Sequence, residues 1–67
     1  MEIFAERVKS LREEKNLSML ALARELKVST ASIYRCENCQ AEIKATQLIS
    51  LAKFFGVSTD YLLGLEN

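Results

Sequence analysis

The chain has 67 residues, 49% of them hydrophobic, and its nine Lys and Arg balance nine Asp and Glu. So short a chain builds one small core, hence a single domain over 1–67, and its apolar fraction excludes intrinsic disorder. Zero net charge excludes a polybasic tail, or any strong field drawing nucleic acid or membrane from a distance, but leaves room for a local patch.

Apolar residues recur at helical spacing and nowhere alternate, so the expected fold class is all-α. The first helix is read over about 2–15 from the stripe Phe4, Val8 and Leu11, and Asn16, which tolerates a left-handed backbone, stops it. The second, about 18–26, opens at Ser18 and carries Leu22, Ala23 and Leu26. The third, about 29–37, opens at Ser29, and a polar stretch over 38–43 follows it. The fourth, about 44–55, carries Leu48, Leu51, Ala52 and Phe55 and stops at Gly56. The fifth, about 58–63, opens at Ser58 and stops at Gly64.

Three of these openings share one chemistry: Leu17-Ser18 with Leu22, Val28-Ser29 with Ile33, and Val57-Ser58 with Leu62. In each, the Ser hydroxyl accepts a bond from an orphan amide of the first turn, and the flanking apolar pair forms a hydrophobic staple. None has Glu or Gln at the third position, so the reciprocal half of a capping box is missing. Helices two and three are joined by only Lys27-Val28, with Ser29 capping the second. A turn that tight forces a steep crossing, the geometry of a helix-turn-helix, whose second helix enters the DNA major groove. Short helical hairpins also occur in bundles that bind no DNA, so geometry alone leaves both readings open.

Phe4-Ala5-Glu6-Arg7-Val8-Lys9-Ser10-Leu11-Arg12 resembles the opening helix of the lambdoid phage repressor and Cro helix-turn-helix family, which includes the xenobiotic-response-element-type regulators. Leu17-Ser18, Leu22-Ala23, Leu26, Val28-Ser29, Ile33 and Glu37-Asn38 follow that family's order, as does the tail from Leu48 to Gly64. The resemblance covers nearly the whole chain and implies a compact five-helix DNA-binding domain with its recognition helix at about 29–37. It implies that Ala23, Val28 and Ile33 lock the motif together. Thr30, Ala31, Ser32, Tyr34 and Arg35 would point to bases and phosphates, beside Ser29 at the helix start and the cation of Lys27 in the turn. Arg35 is the leading reader, since a guanidinium grips both acceptors of a guanine edge, worth roughly 1–3 kcal/mol in discrimination. Thr30 and Ala31 suit a thymine methyl, Tyr34 a phosphate or sugar, and Asn38 and Gln40 neutral phosphate contacts. Arg12 and Glu37 match positions that form an ion pair between helix one and the end of helix three. A homodimer is implied, through the C-terminal helices, with Thr59, Tyr61, Leu65 and Phe54 as candidates; Tyr61 serves equally well as core.

The chain also departs from the pattern. Met19 stands where the family commonly carries Gln, which removes a hydrogen bond to phosphate. Met19 is read first as a lone apolar residue lying on the surface or filling a gap, and second as part of an apolar patch with Leu20 for a protein partner. Lys27 and Cys39 stand at usual Gly positions, where a left-handed backbone costs Lys27 roughly 1 kcal/mol. Gln40-Ala41-Glu42-Ile43 replace the family's frequent cation and Pro, at the expense of phosphate affinity. Cys36-Glu37-Asn38-Cys39 reads as C-x-x-C, but at a helix C-terminus, where the dipole opposes thiolate. The resemblance places Cys36 at a core position where the family usually has Leu or Ile, so Cys36 is read as a core residue and Cys39 as incidental, in preference to a redox or metal switch beside the recognition helix.

The chemical inventory fits a binding domain better than an enzyme. There is no His, no visible nucleophile–base pair and no glycine-rich phosphate loop. Two thiols without His do not complete a four-ligand zinc site unless carboxylates or a second chain help, so neither metal nor cofactor is expected. Met1-Glu2-Ile3-Phe4-Ala5-Glu6-Arg7 does not read as a signal peptide, and no stretch approaches the roughly 20 apolar residues of a membrane span. The expected compartment is a reducing cytoplasm, with no membrane partner. The leading expectation is a sequence-specific transcriptional regulator, a repressor, that binds double-stranded DNA as a homodimer. The alternative is a protein-interaction module on the same scaffold, binding a partner regulator or a toxin through Met19 and Leu20. Residues 18–39 carry Arg24, Lys27 and Arg35 against Glu25 and Glu37, so the motif is slightly positive.

Overall fold

The computed structural model describes residues 2–40 and 44–66. The expectations for Ala41, Glu42 and Ile43 lie outside the described residues. The described chain is all-α, with five helices and no strand: α1 (Glu2–Glu14), α2 (Met19–Leu26), α3 (Thr30–Glu37), α4 (Ala45–Phe55) and α5 (Thr59–Leu63). Helices α2, α3 and α5 each begin one residue later than expected because the Ser that starts them is a cap with extended backbone, outside the helix proper. Ser18, Ser29 and Ser58 accept from the amides of Ala21, Ser32 and Tyr61 at 3.0, 3.2 and 2.9 Å. Each such cap stabilises its helix by about 1 kcal/mol. α4 has no side-chain cap; Lys44 stands there.

All five helices end in the same way. A residue in the left-handed region follows each: Asn16 (φ 57°), Lys27 (58°), Cys39 (59°), Gly56 (68°) and Gly64 (80°). The next amide then reaches back to an otherwise orphaned carbonyl, Leu17 to Arg12, Val28 to Ala23, Gln40 to Arg35, Val57 to Ala52 and Leu65 to Asp60, at 2.8–3.1 Å. This is the Schellman closure, and it turns the chain sharply back onto the core.

Lys27 and Cys39 hold that conformation with a Cβ. Lys27→Gly should therefore stabilise the domain. Relief of left-handed strain, about 1–2 kcal/mol, outweighs the 0.4–1 kcal/mol or so by which glycine's freedom favours the unfolded chain. The expected net gain of roughly 0.5–1 kcal/mol corresponds to a melting temperature several degrees higher by circular dichroism. An unchanged or lower melting temperature would show that the Lys27 side chain contributes more than its backbone costs.

Every helix supplies the core. Phe4, Ala5 and Val8 come from α1, Leu22 and Ala23 from α2, Ile33 and Cys36 from α3, Leu51, Ala52 and Phe55 from α4, and Leu62 from α5. α1 packs against α3 and α5, α2 against α3 and α4, and α4 against α5. The motif helices α2 and α3 thus sit on a platform made by the other three, with one face of α3 left open. No described helix is long and apolar enough to cross a membrane.

Candidate nucleic-acid interface

The buried side of α3 is set by Ile33 and Cys36, and its orientation by an ion pair. Arg12 Nε and Nη2 donate to Glu37 Oε2 and Oε1 at 2.7 and 3.0 Å, a two-pronged grip, while Nη1 donates to the Leu17 carbonyl at 2.8 Å. The Glu37 side chain is 1% exposed and that of Arg12 11%. The hydrogen bond to Glu37 holds the Arg12 guanidinium above its already high ordinary pKa, against the opposing effect of burial, so Arg12 stays charged. One side chain therefore ties α1 both to the loop entering α2 and to the last turn of α3.

With Ile33, Cys36 and Glu37 turned inward, the opposite face of α3 presents Thr30, Ala31, Tyr34, Arg35 and Asn38, all exposed. Their spacing puts them on one stripe of the helix. Tyr34 is 51% exposed, an unusual placement for so large a ring. Asn38 caps the end of the stripe by donating its side-chain amide to the Tyr34 carbonyl at 2.8 Å, and Gln40 is exposed just beyond. Ser29 and Lys27 flank the start and are also exposed. Ser32 lies differently: it is half-buried, its hydroxyl 3.0 Å from that of Ser29, on the side of α3 facing α4.

The electrostatics of this face are better than the net charge suggests. Glu37 is consumed by Arg12, so over residues 18–39 the exposed cations Arg24, Lys27 and Arg35 meet one exposed acid, Glu25. Neither α2 nor α3 carries an acidic residue in its first turn, so the positive ends of both helix dipoles are unopposed from within. Backbone amides at such ends suit phosphate.

A family model for a helix-turn-helix domain matches residues 5–67. The chain belongs to that family. No curated protein matches the chain. Helix-turn-helix domains are DNA-binding modules whose second motif helix lies in the major groove. In this one, the second motif helix is α3, and the stripe Thr30 to Asn38 is its exposed face.

The remaining sequence candidates fall elsewhere on this helix-turn-helix domain. Met19 packs partly buried against the core, while Leu20 beside it is 49% exposed. Of the residues named for pairing, Phe54 and Tyr61 are half-buried against the core. Each lies under a cation, Lys15 at 5.7 Å from the Phe54 ring centre and Arg7 at 4.2 Å from that of Tyr61. Thr59 is half-buried, and Leu65 is 72% exposed. Cys36 is a buried free thiol. Burial pushes it up from its ordinary pKa and the Glu37 charge pushes it further, the opposite of a reactive C-x-x-C thiol. Among the described residues, no group of three or more His, Cys, Asp or Glu is placed to hold a metal.

Sequence reasoning missed Arg7. Its guanidinium donates to the carbonyls of Tyr61 and Glu66, the latter at 2.8 Å, while lying over the Tyr61 ring. No local pattern announces a partner more than fifty positions away.

Proposed function

We propose that this helix-turn-helix domain is a sequence-specific transcriptional regulator of the lambdoid repressor and Cro type. It acts as a repressor in the cytoplasm, with α3 as its recognition helix. The observation that carries the reading is the exposed stripe of α3, held in one orientation by a buried two-pronged ion pair. Arg35 reads guanine, Thr30 and Ala31 meet thymine methyls, and Tyr34, Lys27 and Gln40 contact the backbone together with the amides at Ser29. The side chains of Ser32 and Asn38 act chiefly by positioning, since each is already engaged within the helix.

The domain binds a two-fold operator as a homodimer. The longest extent of one molecule is 28 Å, short of the roughly 34–36 Å between half-sites one helical turn apart, so one copy does not span both. Leu65 is the most exposed large apolar residue described, and Ile3, 46% exposed, lies against Gly64 beside it. This end of the molecule, with Thr59, supports pairing better than Phe54 or Tyr61, whose rings are covered from within.

Selection of bound sequences from a random DNA pool tests the reading, and should return a two-fold site. Arg35→Ala should then weaken binding to that site by about ten- to a hundredfold, leave the circular dichroism spectrum and melting temperature unchanged, and relax preference at one base position. With Arg35 on a base, Arg24 and Lys27 are the exposed motif cations left for phosphate, so log affinity against log salt should fall with a slope near −2 per protomer, shallow for a regulator. No enrichment from the pool at low salt would overturn the proposal. The competing reading, a protein-interaction module, now rests on Leu20 more than on Met19. It would gain if Arg35→Glu abolished capture of a protein partner while sparing DNA.

A further inference from the structure

α3 is braced by α1 and α2, whereas α4 packs on α5 and on α2. Between α3 and α4 this arrangement leaves a half-open seam with a cavity volume of about 150 Å³. Val28, Ile33, Cys36 and Leu51 form its apolar wall. Ser32, Thr46, Gln47 and Ser50 also line it, and no charged side chain among the described residues does. We propose that this seam is a binding site for a small uncharged molecule built on one or two fused rings, of benzene to indole size, bearing at most a hydroxyl or an N–H.

Three observations select that class. The volume matches cavities of roughly 150 Å³ that take benzene-sized guests, and is well below the roughly 300–1,000 Å³ of sites for larger ligands. An ionic ligand would leave water without meeting a counter-charge among the described lining residues, which disfavours it strongly. A neutral ring loses nothing on entering the apolar wall, and the hydroxyls of Ser32, Thr46 and Ser50 with the Gln47 amide can satisfy one polar substituent. The site goes beyond the DNA reading and does not rest on it: the stripe that faces DNA runs along another side of α3. A ligand here would bridge α3 to α4, which share little direct packing.

The test uses the full 67-residue chain, with phenol and indole as probes and benzoate as a charged control. The ¹³C-methyl resonances of Leu26, Val28, Ile33 and Leu51 are followed by NMR. The expected result is saturable shifts concentrated on these methyls, with dissociation constants of about 0.1–1 mM for ligands this small, and benzoate at least tenfold weaker. Ser50→Phe, at an exposed position on the rim, should place a ring in the seam and abolish saturation while the domain stays folded. Thr46→Phe serves the same purpose if Ser50→Phe unfolds. The proposal is overturned by any of four results: no saturation up to about 10 mM for either probe, shifts centred elsewhere, benzoate binding equally well, or a folded filling variant that still binds. Shifts of the same methyls with protein concentration alone would also overturn it, by showing that a second copy occupies the seam.

Discussion

Arg12→Met is expected to lower the stability of the domain by about 3–5 kcal/mol. The reason lies less in the lost attraction than in what remains. Glu37, 1% exposed, would keep a carboxylate with neither water nor a donor to face, and the Leu17 carbonyl would lose its Nη1 donor too. A domain of this length has only some 3–10 kcal/mol in total, so the variant should forfeit from about a third of its stability to all of it. The double variant Arg12→Met with Glu37→Leu should recover most of the loss, because two apolar groups of similar volume leave no buried charge. Urea denaturation of the single and double variants measures both. A single-variant loss under about 1 kcal/mol would mean that the pair behaves as a solvated surface bridge. The functional corollary is directional: the pair fixes the last turn of α3 to α1, so the double variant should fold yet read DNA less selectively than the parent.

Leu62→Ala should cost about 2–5 kcal/mol. α5 has five residues, far too few to be helical alone. What holds it is a fully buried Leu62, the Ser58 cap, the closure at Gly64 and the Arg7 contacts on Tyr61. Of these, Leu62 is the fully buried one, with Tyr61 packed only partly buried against the core, so truncating Leu62 removes the main hydrophobic reason for α5 to dock. Leu62→Met, which keeps the volume, should stay within about 1.5 kcal/mol of the parent. Guanidinium denaturation compares the two. Similar losses for Ala and Met would indicate a site sensitive to shape alone and not to burial.

Local chemistry was legible from residues alone, and long-range chemistry was not. Ser18, Ser29 and Ser58 announced three helix starts because a cap and its staple lie within five residues. Asn16, Gly56 and Gly64 announced stops for the same reason. The left-handed conformations at Lys27 and Cys39 became visible only through the positions they share with a known family, since neither residue type favours that backbone. The Arg12–Glu37 pair entered by the same route. The grip of Arg7 on the far end of the chain had no such signal, and neither did the seam between α3 and α4, which exists only once α4 is placed. The stripe on α3 was foreseen except for Ser32: a residue's spacing gives its angle on the helix, but not the neighbour toward which that angle points.

The Arg7 contacts join residues near one end of the sequence to residues near the other: the guanidinium bonds Tyr61 and Glu66, and Ile3 lies against Gly64. Contacts of such long sequence separation are slow to form, because a loop of nearly the whole chain must close first. They also make the two ends thermodynamically inseparable. If the first turns of α1 loosen, α5 loses its clamp, and if α5 detaches, the first turns of α1 lose their cover. The domain should therefore have one shared opening equilibrium for its two ends, distinct from the α2–α3 unit proposed to face DNA. Fraying at the periphery is thereby kept away from α3, the proposed recognition helix.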